Sequence, residues 1–121
     1  MIGHLVFFNA KPEATDNQLR SFAKAISEAC RQIAAIHRVQ IGRRLIVDSG
    51  YARSFGDKTY NFAAIFEFTD ASALKQYLNH PSHHELGRMF WEMCESTTVV
   101  EVELADGKSD QLVDFLVLDR K

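Results

Sequence analysis

The sequence predicts an α+β domain with a four-stranded antiparallel sheet and helices on one face of that sheet. The chain has 121 residues, of which 46% are apolar and 25% are charged, and this balance suits a single globular domain with one core. Segments with strand and helix periodicity follow one another in the order β-α-β and then β-α-α-β. Two such halves combine into one antiparallel sheet.

The first half begins with a strand over residues 2–8 and continues into a helix over residues 16–34. Thr15 and Gln18 have the spacing of a capping box at the start of that helix. Apolar side chains then recur every three or four residues, which predicts one buried helix face. A second strand over residues 39–47 completes a β-α-β unit.

The second half begins after residues 48–58, whose Gly, Ser and Asp content predicts a loop. A third strand is predicted over residues 59–68, and Asp70 is a favourable N-cap for the helix that follows. That helix is predicted to end near Asn79, because His80 precedes a proline and is disfavoured in the α region. Pro81 suits the first position of a further helix.

The last helix carries an apolar stripe, and Trp91 on it is assigned to packing rather than to ligand stacking. A fourth strand over residues 97–104 alternates β-branched and acidic side chains. Glu101 and Glu103 share one face of that strand and are assigned to a solvated edge.

A C-terminal extension over residues 106–121 follows a domain that spans residues 1–105. Residues 111–119 form a short apolar run for which an extra strand is favoured, while a short helix stays open. The run is too apolar to be left in water, so we expect the extension to pack on the sheet or on a partner subunit.

The first and third strands are apolar at both alternating phases, whereas helices cover only one face of the sheet. Leaving several large apolar side chains in water would cost on the order of 10 kcal/mol, comparable with the stability of a whole domain. Pairing of two sheets across a two-fold axis avoids this cost. The strands therefore predict a homodimer through the open sheet face.

Charge and composition argue against several classes of partner. The net charge is −2 and no run of Lys or Arg forms a stripe, so neither nucleic acid nor an anionic membrane is expected as a partner. No apolar run approaches the roughly 20 residues that span a bilayer. The N-terminus lacks the features of a signal peptide, and Cys30 and Cys94 are interpreted as buried free thiols within helices. A cytoplasmic location is expected.

A tyrosine, a two-residue spacer and then His-Pro-x-His occupy residues 77–83. This segment resembles the motif of the stress-responsive A/B barrel (Dabb) family. The strand at residues 2–8, with its histidine His4, and the strand at residues 62–68 are also similar to that family. The resemblance covers residues 2–104 and implies a ferredoxin-like fold that pairs sheet to sheet as a dimeric α/β barrel.

The resemblance also suggests possible functions. Most members of the family have no assigned reaction, but some are plant polyketide cyclases that close a ring by aldol chemistry without metal or organic cofactor. Carried over, the acid–base pair of those enzymes corresponds to Tyr77 and His83, and His4 corresponds to a pocket-lining residue. A haem-degrading monooxygenase of the related barrel type would need an axial histidine facing a large cavity, which no sequence feature indicates.

The candidate site residues are Tyr77 and His83 as a catalytic pair, with His4 and His80 as ligand-binding residues. Tyr77 and His83 flank a helix break, which allows both side chains to face one cavity. His80 and Pro81 are explained mainly by the helix boundary, and for His4 a hydrogen-bonded core or interface position is favoured over a catalytic one. No metal is expected, because adjacent histidines on a helix point apart.

The expected function is binding of a small apolar or aromatic ligand near Tyr77 and His83, without a cofactor. Two alternatives stay open. One is a cofactor-free acid–base enzyme, in which the imidazole removes a proton and the phenol stabilises an oxyanion. The other is a non-catalytic structural or stress-related dimer, in which both side chains pack at the dimer seam.

Overall fold

The computed structural model describes residues 1–47 and 59–118, and the predicted loop at residues 48–58 lies outside the described residues. None of the described helices has the length and apolar character that a membrane span requires. The elements are β1 (Ile2–Ala10), α1 (Asp16–Gln32), β2 (Arg38–Arg43), β3 (Phe62–Phe68), α2 (Ala71–Asn79), α3 (Pro81–Met93), β4 (Cys94–Glu103) and α4 (Leu112–Leu118).

The four strands form one antiparallel sheet in the order β2-β3-β1-β4, which confirms the predicted fold class. Alternate residues of β1 face the helices, and each lies directly opposite a residue of β3 and one of β4. We name the three resulting rows by their β1 residue as the His4, Val6 and Phe8 rows. From β2 to β4, the rows are Val39–Phe66–His4–Glu101, Ile41–Ala64–Val6–Val99 and Arg43–Phe62–Phe8–Thr97.

The core lies between this face of the sheet and the helices. In the Phe8 row, the Phe8 ring lies 5.2 Å from that of Phe90 on α3 and 6.4 Å from that of Phe22 on α1. It also stacks on Phe62 of β3, with the ring centroids 5.4 Å apart. Large aromatic rings therefore join both helices to the sheet at this end of the core.

The predicted helix boundaries have the expected capping groups. Thr15 and Gln18 make both hydrogen bonds of a capping box. The Asp70 carboxylate accepts a hydrogen bond of 2.8 Å from the Ala73 N–H at the start of α2. His80 ends α2 and caps α3, and Pro81 is the first residue of α3. These short-range signals were readable from sequence because each depends on residues only two or three positions apart.

Two predicted boundaries of β2 and β3 differ from the structure. β2 was expected to continue to residue 47, yet it ends at Arg43, which lies opposite the first residue of β3, Phe62. Beyond that position one further backbone hydrogen bond joins the two segments, from the Arg44 N–H to the Asn61 carbonyl. Leu45 is 81% exposed despite its apolar side chain. The strands predicted from apolar residues, over 39–47 and 59–68, are therefore longer than the paired strands β2 and β3.

The extra C-terminal strand was wrong, because residues Leu112–Leu118 form the helix α4. Periodicity in so short an apolar run does not separate strand from helix. The predicted free state of Cys30 and Cys94 is confirmed. Cys94, however, opens β4 rather than lying in a helix.

Candidate ligand pocket

A cavity of about 290 Å³ lies between the helix-facing side of the sheet and the helices α1, α2 and α3. It brings together Tyr77, His83 and His4, three of the four residues that the sequence singled out. Its lining is mainly apolar. The polar atoms in the lining come chiefly from His4, Tyr77, His83, Thr97 and Glu101.

Tyr77 is buried at the end of α2 against the sheet. Its ring centroid lies 5.1 Å from that of Phe66 and 5.2 Å from that of Phe68. Burial raises the pKa of the Tyr77 phenol above its ordinary value, and the nearby Cys30 thiol adds to this. The phenol therefore stays protonated at neutral pH and can donate a hydrogen bond.

His83 lies in the first turn of α3, just after the break at Pro81. The break turns its ring toward Tyr77, with the two ring centroids 4.6 Å apart. Burial lowers the pKa of His83, and a backbone interaction with Leu78 opposes that only in part. The imidazole is thus neutral near pH 7. Its Nδ1 atom is buried and has no hydrogen-bond partner.

His4 is the only buried polar residue among the described residues. Its ring lies 5.6 Å from that of Tyr77, and its Nδ1 lies 3.1 Å from the Glu101 carboxylate across the β1–β4 pairing. Burial lowers the pKa of His4, whereas the hydrogen bond and the charge of Glu101 raise it by less. Glu101 therefore orients the His4 ring and anchors this end of the pocket.

The arrangement supplies a neutral imidazole and a protonated phenol side by side at the edge of a mainly apolar space. A neutral imidazole can accept a proton, and a phenol can donate a hydrogen bond to an oxyanion. A hydroxyl or carbonyl group of a ligand can also satisfy these groups without any reaction. The described residues contain no cluster of three or more His, Cys, Asp or Glu side chains placed to hold a metal ion.

The structure does not bring His80 to the cavity. Its Nδ1 accepts a hydrogen bond of 3.0 Å from the Ser82 backbone N–H and caps α3. The ring is committed to the backbone at the helix break, so the capping role accounts for this histidine. This geometry matches the helix-boundary interpretation of His80. His80 makes no contact with the cavity that would support a ligand-binding role.

Glu101, Trp91 and Gly87 are among the lining residues outside the predicted site. Glu101 lies half exposed on the edge strand β4, as the solvated-edge prediction expects, but it also contacts His4 and lines the cavity. Trp91 was assigned to packing, yet it is 72% exposed and lines the cavity mouth. Gly87 was not singled out. A carboxylate directly opposite a buried histidine is a usable signal, but only once the strand register is known.

Fold and site together define a ferredoxin-like α+β domain with a tyrosine- and histidine-lined pocket between its sheet and its helices. The family model of the Stress responsive A/B Barrel Domain (Dabb) matches residues 2–104. The chain therefore belongs to that family, as the resemblance at residues 77–83 indicated. No match was found among curated proteins.

Solved structures share the fold at low sequence identity. A Dabb family protein from Mesorhizobium loti is 20% identical, with a TM-score of 0.68 over 87% of this chain and 97% of that one. A hydroxynitrile lyase from Passiflora edulis is 16% identical, with a TM-score of 0.72 over 89% and 96%. A dimeric ferredoxin-like protein of unknown function from Thermobifida fusca is 20% identical, with a TM-score of 0.67 over 85% and 90%.

Proposed function

We propose that this protein binds a small apolar or aromatic ligand that carries a hydroxyl or carbonyl group, in the pocket beside Tyr77 and His83. The observation that carries the proposal is the mainly apolar cavity that His83 and Tyr77 both line, together with a buried His83 Nδ1 atom that has no hydrogen-bond partner. Buried polar atoms are nearly always hydrogen-bonded, and an exception calls for an explanation. The proposal is that a rotation of the His83 ring brings this atom to a polar group on a bound ligand, which supplies the missing partner.

The shape and chemistry of the cavity support the same class of ligand. Ligand pockets are usually concave and mostly apolar, with a few polar groups that fix orientation. Such pockets have volumes of roughly 300–1,000 Å³. The volume of about 290 Å³ is close to the lower end of that range. Here Tyr77 and His83 provide the orienting groups, and Val6, Ala64 and Phe90 provide apolar surface.

The single tryptophan of the chain, Trp91, lies at the mouth of the pocket and reports on occupancy. We expect para-butylphenol to change its fluorescence saturably, because the phenol hydroxyl can either donate to or accept from an imidazole nitrogen. His83→Ala should weaken binding of para-butylphenol about tenfold, the value of one good hydrogen bond in a buried site.

His84→Ala is the matched control, because His84 is the adjacent histidine on α3, is exposed and does not line the pocket. It should bind para-butylphenol as the wild type does. Butylbenzene, which lacks the hydroxyl, should bind the wild type and His83→Ala alike. A wild type without saturable binding, or equal losses in the His83 and His84 variants, would contradict the proposal.

We propose acid–base catalysis without a cofactor as the second candidate function. The opposite pKa shifts favour it, because burial keeps His83 neutral as a base and Tyr77 protonated as a donor. A hydroxynitrile lyase shares the fold, so the fold is compatible with an enzyme. In the simplest reaction, His83 takes a proton from a carbon next to a carbonyl, and Tyr77 donates a hydrogen bond to the enolate oxygen.

Proton exchange tests this chemistry directly. We expect the protein to speed deuterium uptake by benzylacetone in heavy water, measured by NMR. Tyr77→Phe and His83→Ala should each remove most of the acceleration, because general acid–base groups typically contribute about 100-fold or more. His84→Ala should keep it. Exchange at the buffer rate in the wild type would leave the protein a binder rather than an enzyme.

We also propose a homodimer through the open face of the sheet. Ile65 and Val100 lie on that face and are 40% and 41% exposed in the single chain, and similar structures are described as dimeric. Light scattering should give twice the mass of the chain. Ile65→Asp should give the monomer, whereas Arg20→Asp on the exposed side of α1 should not. A monomeric wild type would refute the dimer.

The C-terminal extension, residues 106–121, is proposed to pack on the partner subunit. Val113, Leu116 and Val117 of α4 are each more than half exposed in the single chain, and they share one helix face. Covering them in the dimer would remove that apolar surface from water. Deleting residues 106–121 should therefore raise the dimer dissociation constant, and an unchanged constant would refute this packing.

A cytoplasmic location is proposed on the basis of the thiols. Cys30 and Cys94 are both free, and burial raises the pKa of Cys94 to about 11. Free, poorly reactive thiols suit a reducing compartment. Fractionation of the native cells tests this, and recovery from an oxidising compartment would contradict it.

A further inference from the structure

Gly87 lies in the middle of α3, equally far from Pro81 and Met93. Glycine is the least favourable residue after proline in a helix interior, so its presence there needs a reason. A helix end does not supply one. Close packing does not supply one either, because a Cβ atom built at Gly87 would meet nothing within 4 Å. The backbone therefore tolerates a side chain at this position.

The empty space beside Gly87 is the ligand pocket. His83, Gly87 and Trp91 recur every four residues, so they lie on one face of α3, and all three line the cavity. His83 stands at the buried end and Trp91 at the exposed mouth. The distance between them along the helix is about 12 Å, from the rise of 1.5 Å per residue. Gly87 occupies the midpoint of this wall.

The Val6 row of the sheet holds the corresponding middle position in the lining of the cavity. At one end of the cavity, Tyr77 contacts both His83 and His4. At the other end, Phe90 contacts Phe8. Gly87 lies between His83 and Phe90 on α3, just as the Val6 row lies between the His4 and Phe8 rows on the sheet.

The smallest side chain of the Val6 row belongs to Ala64, which also lines the cavity. A glycine in the helix and an alanine in the sheet thus border the same middle section. Both leave space there, between a polar end and an aromatic end.

We propose that Gly87 is the specificity-determining position of this pocket. Its missing side chain leaves room for the apolar part of an elongated ligand, which passes over the α3 backbone from a polar group at His83 toward Trp91. The inference rests on the proposed ligand-binding function and adds which length and shape of ligand the pocket accepts. A side chain at position 87 would occupy the path of the apolar chain.

A series of para-alkylphenols, from para-cresol to para-heptylphenol, measures this length by isothermal titration calorimetry. In the wild type, each added methylene should strengthen binding about fourfold until the chain reaches the pocket wall. Gly87→Ala should move that limit to a shorter chain. Gly87→Leu should weaken the longest phenols by roughly tenfold or more while leaving para-cresol nearly unaffected.

Thermal unfolding separates a pocket role from a structural one. Gly87→Ala should raise the Tm by a few degrees, because alanine is the better helix former and nothing obstructs its Cβ. Gly107→Ala is the matched control, since a Cβ there also meets nothing within 4 Å and Gly107 lies in the turn after β4, outside the pocket. It should leave the chain-length profile unchanged.

Three results would overturn this inference and leave the proposed ligand-binding function intact. They are a lower Tm in Gly87→Ala, a chain-length profile that is the same in all variants, and a changed oligomeric mass in Gly87→Leu, which would place a protein contact at Gly87. A wild type that binds none of the phenols would instead refute the proposed function, and this inference with it.

Discussion

The His4 and Phe8 ends of the core lie on the same strand, on the same face and at the same depth. His4 and Phe8 are each 5% exposed. Phe8 is surrounded by the rings of Phe22, Phe62 and Phe90. His4 is surrounded by two aromatic rings and by the carboxylate of Glu101.

Equal burial therefore serves two different purposes four residues apart. At the Phe8 end, apolar rings fill space and stabilise the fold. At the His4 end, burial instead shifts pKa values and leaves the His83 Nδ1 unpaired, which costs stability. Stability and chemistry are separated along one short strand. Substitutions at the Phe8 end should therefore lower mainly the stability, and substitutions at the His4 end should lower mainly the binding of ligand.

The largest expected effect is the loss of stability in Phe8→Ala. Removing this ring should lower the free energy of unfolding by about 3–5 kcal/mol, because a buried cavity replaces contacts with three other rings. Tyr77→Phe at the other end keeps the ring and removes only a hydroxyl, and should cost far less. Urea unfolding at neutral pH measures both. Equal losses of unfolding free energy in the two variants would show that the His4 and Phe8 ends do not differ in their contribution to stability.

A smaller effect separates the two histidines of the helix break. His80→Ala should lower the free energy of unfolding by about 1 kcal/mol, because it removes the cap on the Ser82 N–H. His83→Ala should change stability less, because its Nδ1 is unpaired in the folded chain.

Ligand binding should show the reverse order for the same two variants. His83→Ala should weaken binding of para-butylphenol, and His80→Ala should not, because His80 does not line the pocket. If His80→Ala keeps its stability but no longer binds the ligand, His80 is a ligand-binding residue and not a helix cap.

Sequence predicted best what depends on neighbours in the chain. The capping box at Thr15 and the boundary at His80 and Pro81 each follow from a few adjacent residues. The four-stranded antiparallel sheet followed from alternating β and α segments, and the motif at residues 77–83 identified the family. Local patterns are fully present in the sequence, so they could be read without coordinates.

Sequence failed where partners are distant. Glu101 lies 97 positions from His4, and alternation along β4 did not reveal which face the helices cover. Gly87 became informative only when the space around it was known. The predicted strand at residues 111–119 failed because a short apolar run carries no information about what it will pack on.

The smallest effect is a pH dependence from the His4 end. Burial lowers the pKa of both His4 and His83 below the ordinary value of 6.5. The unfolded chain therefore takes up protons first as the pH falls through 6.5, so stability is full above that pH and declines toward the lower folded pKa values. Urea midpoints should fall between pH 7 and pH 5, and His4→Gln/His83→Gln should flatten that slope.

A variant of Glu101 tests the pKa of His4 more specifically. The hydrogen bond and the charge of Glu101 raise that pKa against the effect of burial. Glu101→Gln removes the charge and keeps the size of the side chain, so the pKa of His4 should fall further. NMR titration of the ring protons reads this change at His4, while His83, which has no contact with Glu101, should titrate nearly as before. A His4 pKa that stays the same or rises in Glu101→Gln would mean that Glu101 does not raise the pKa of His4.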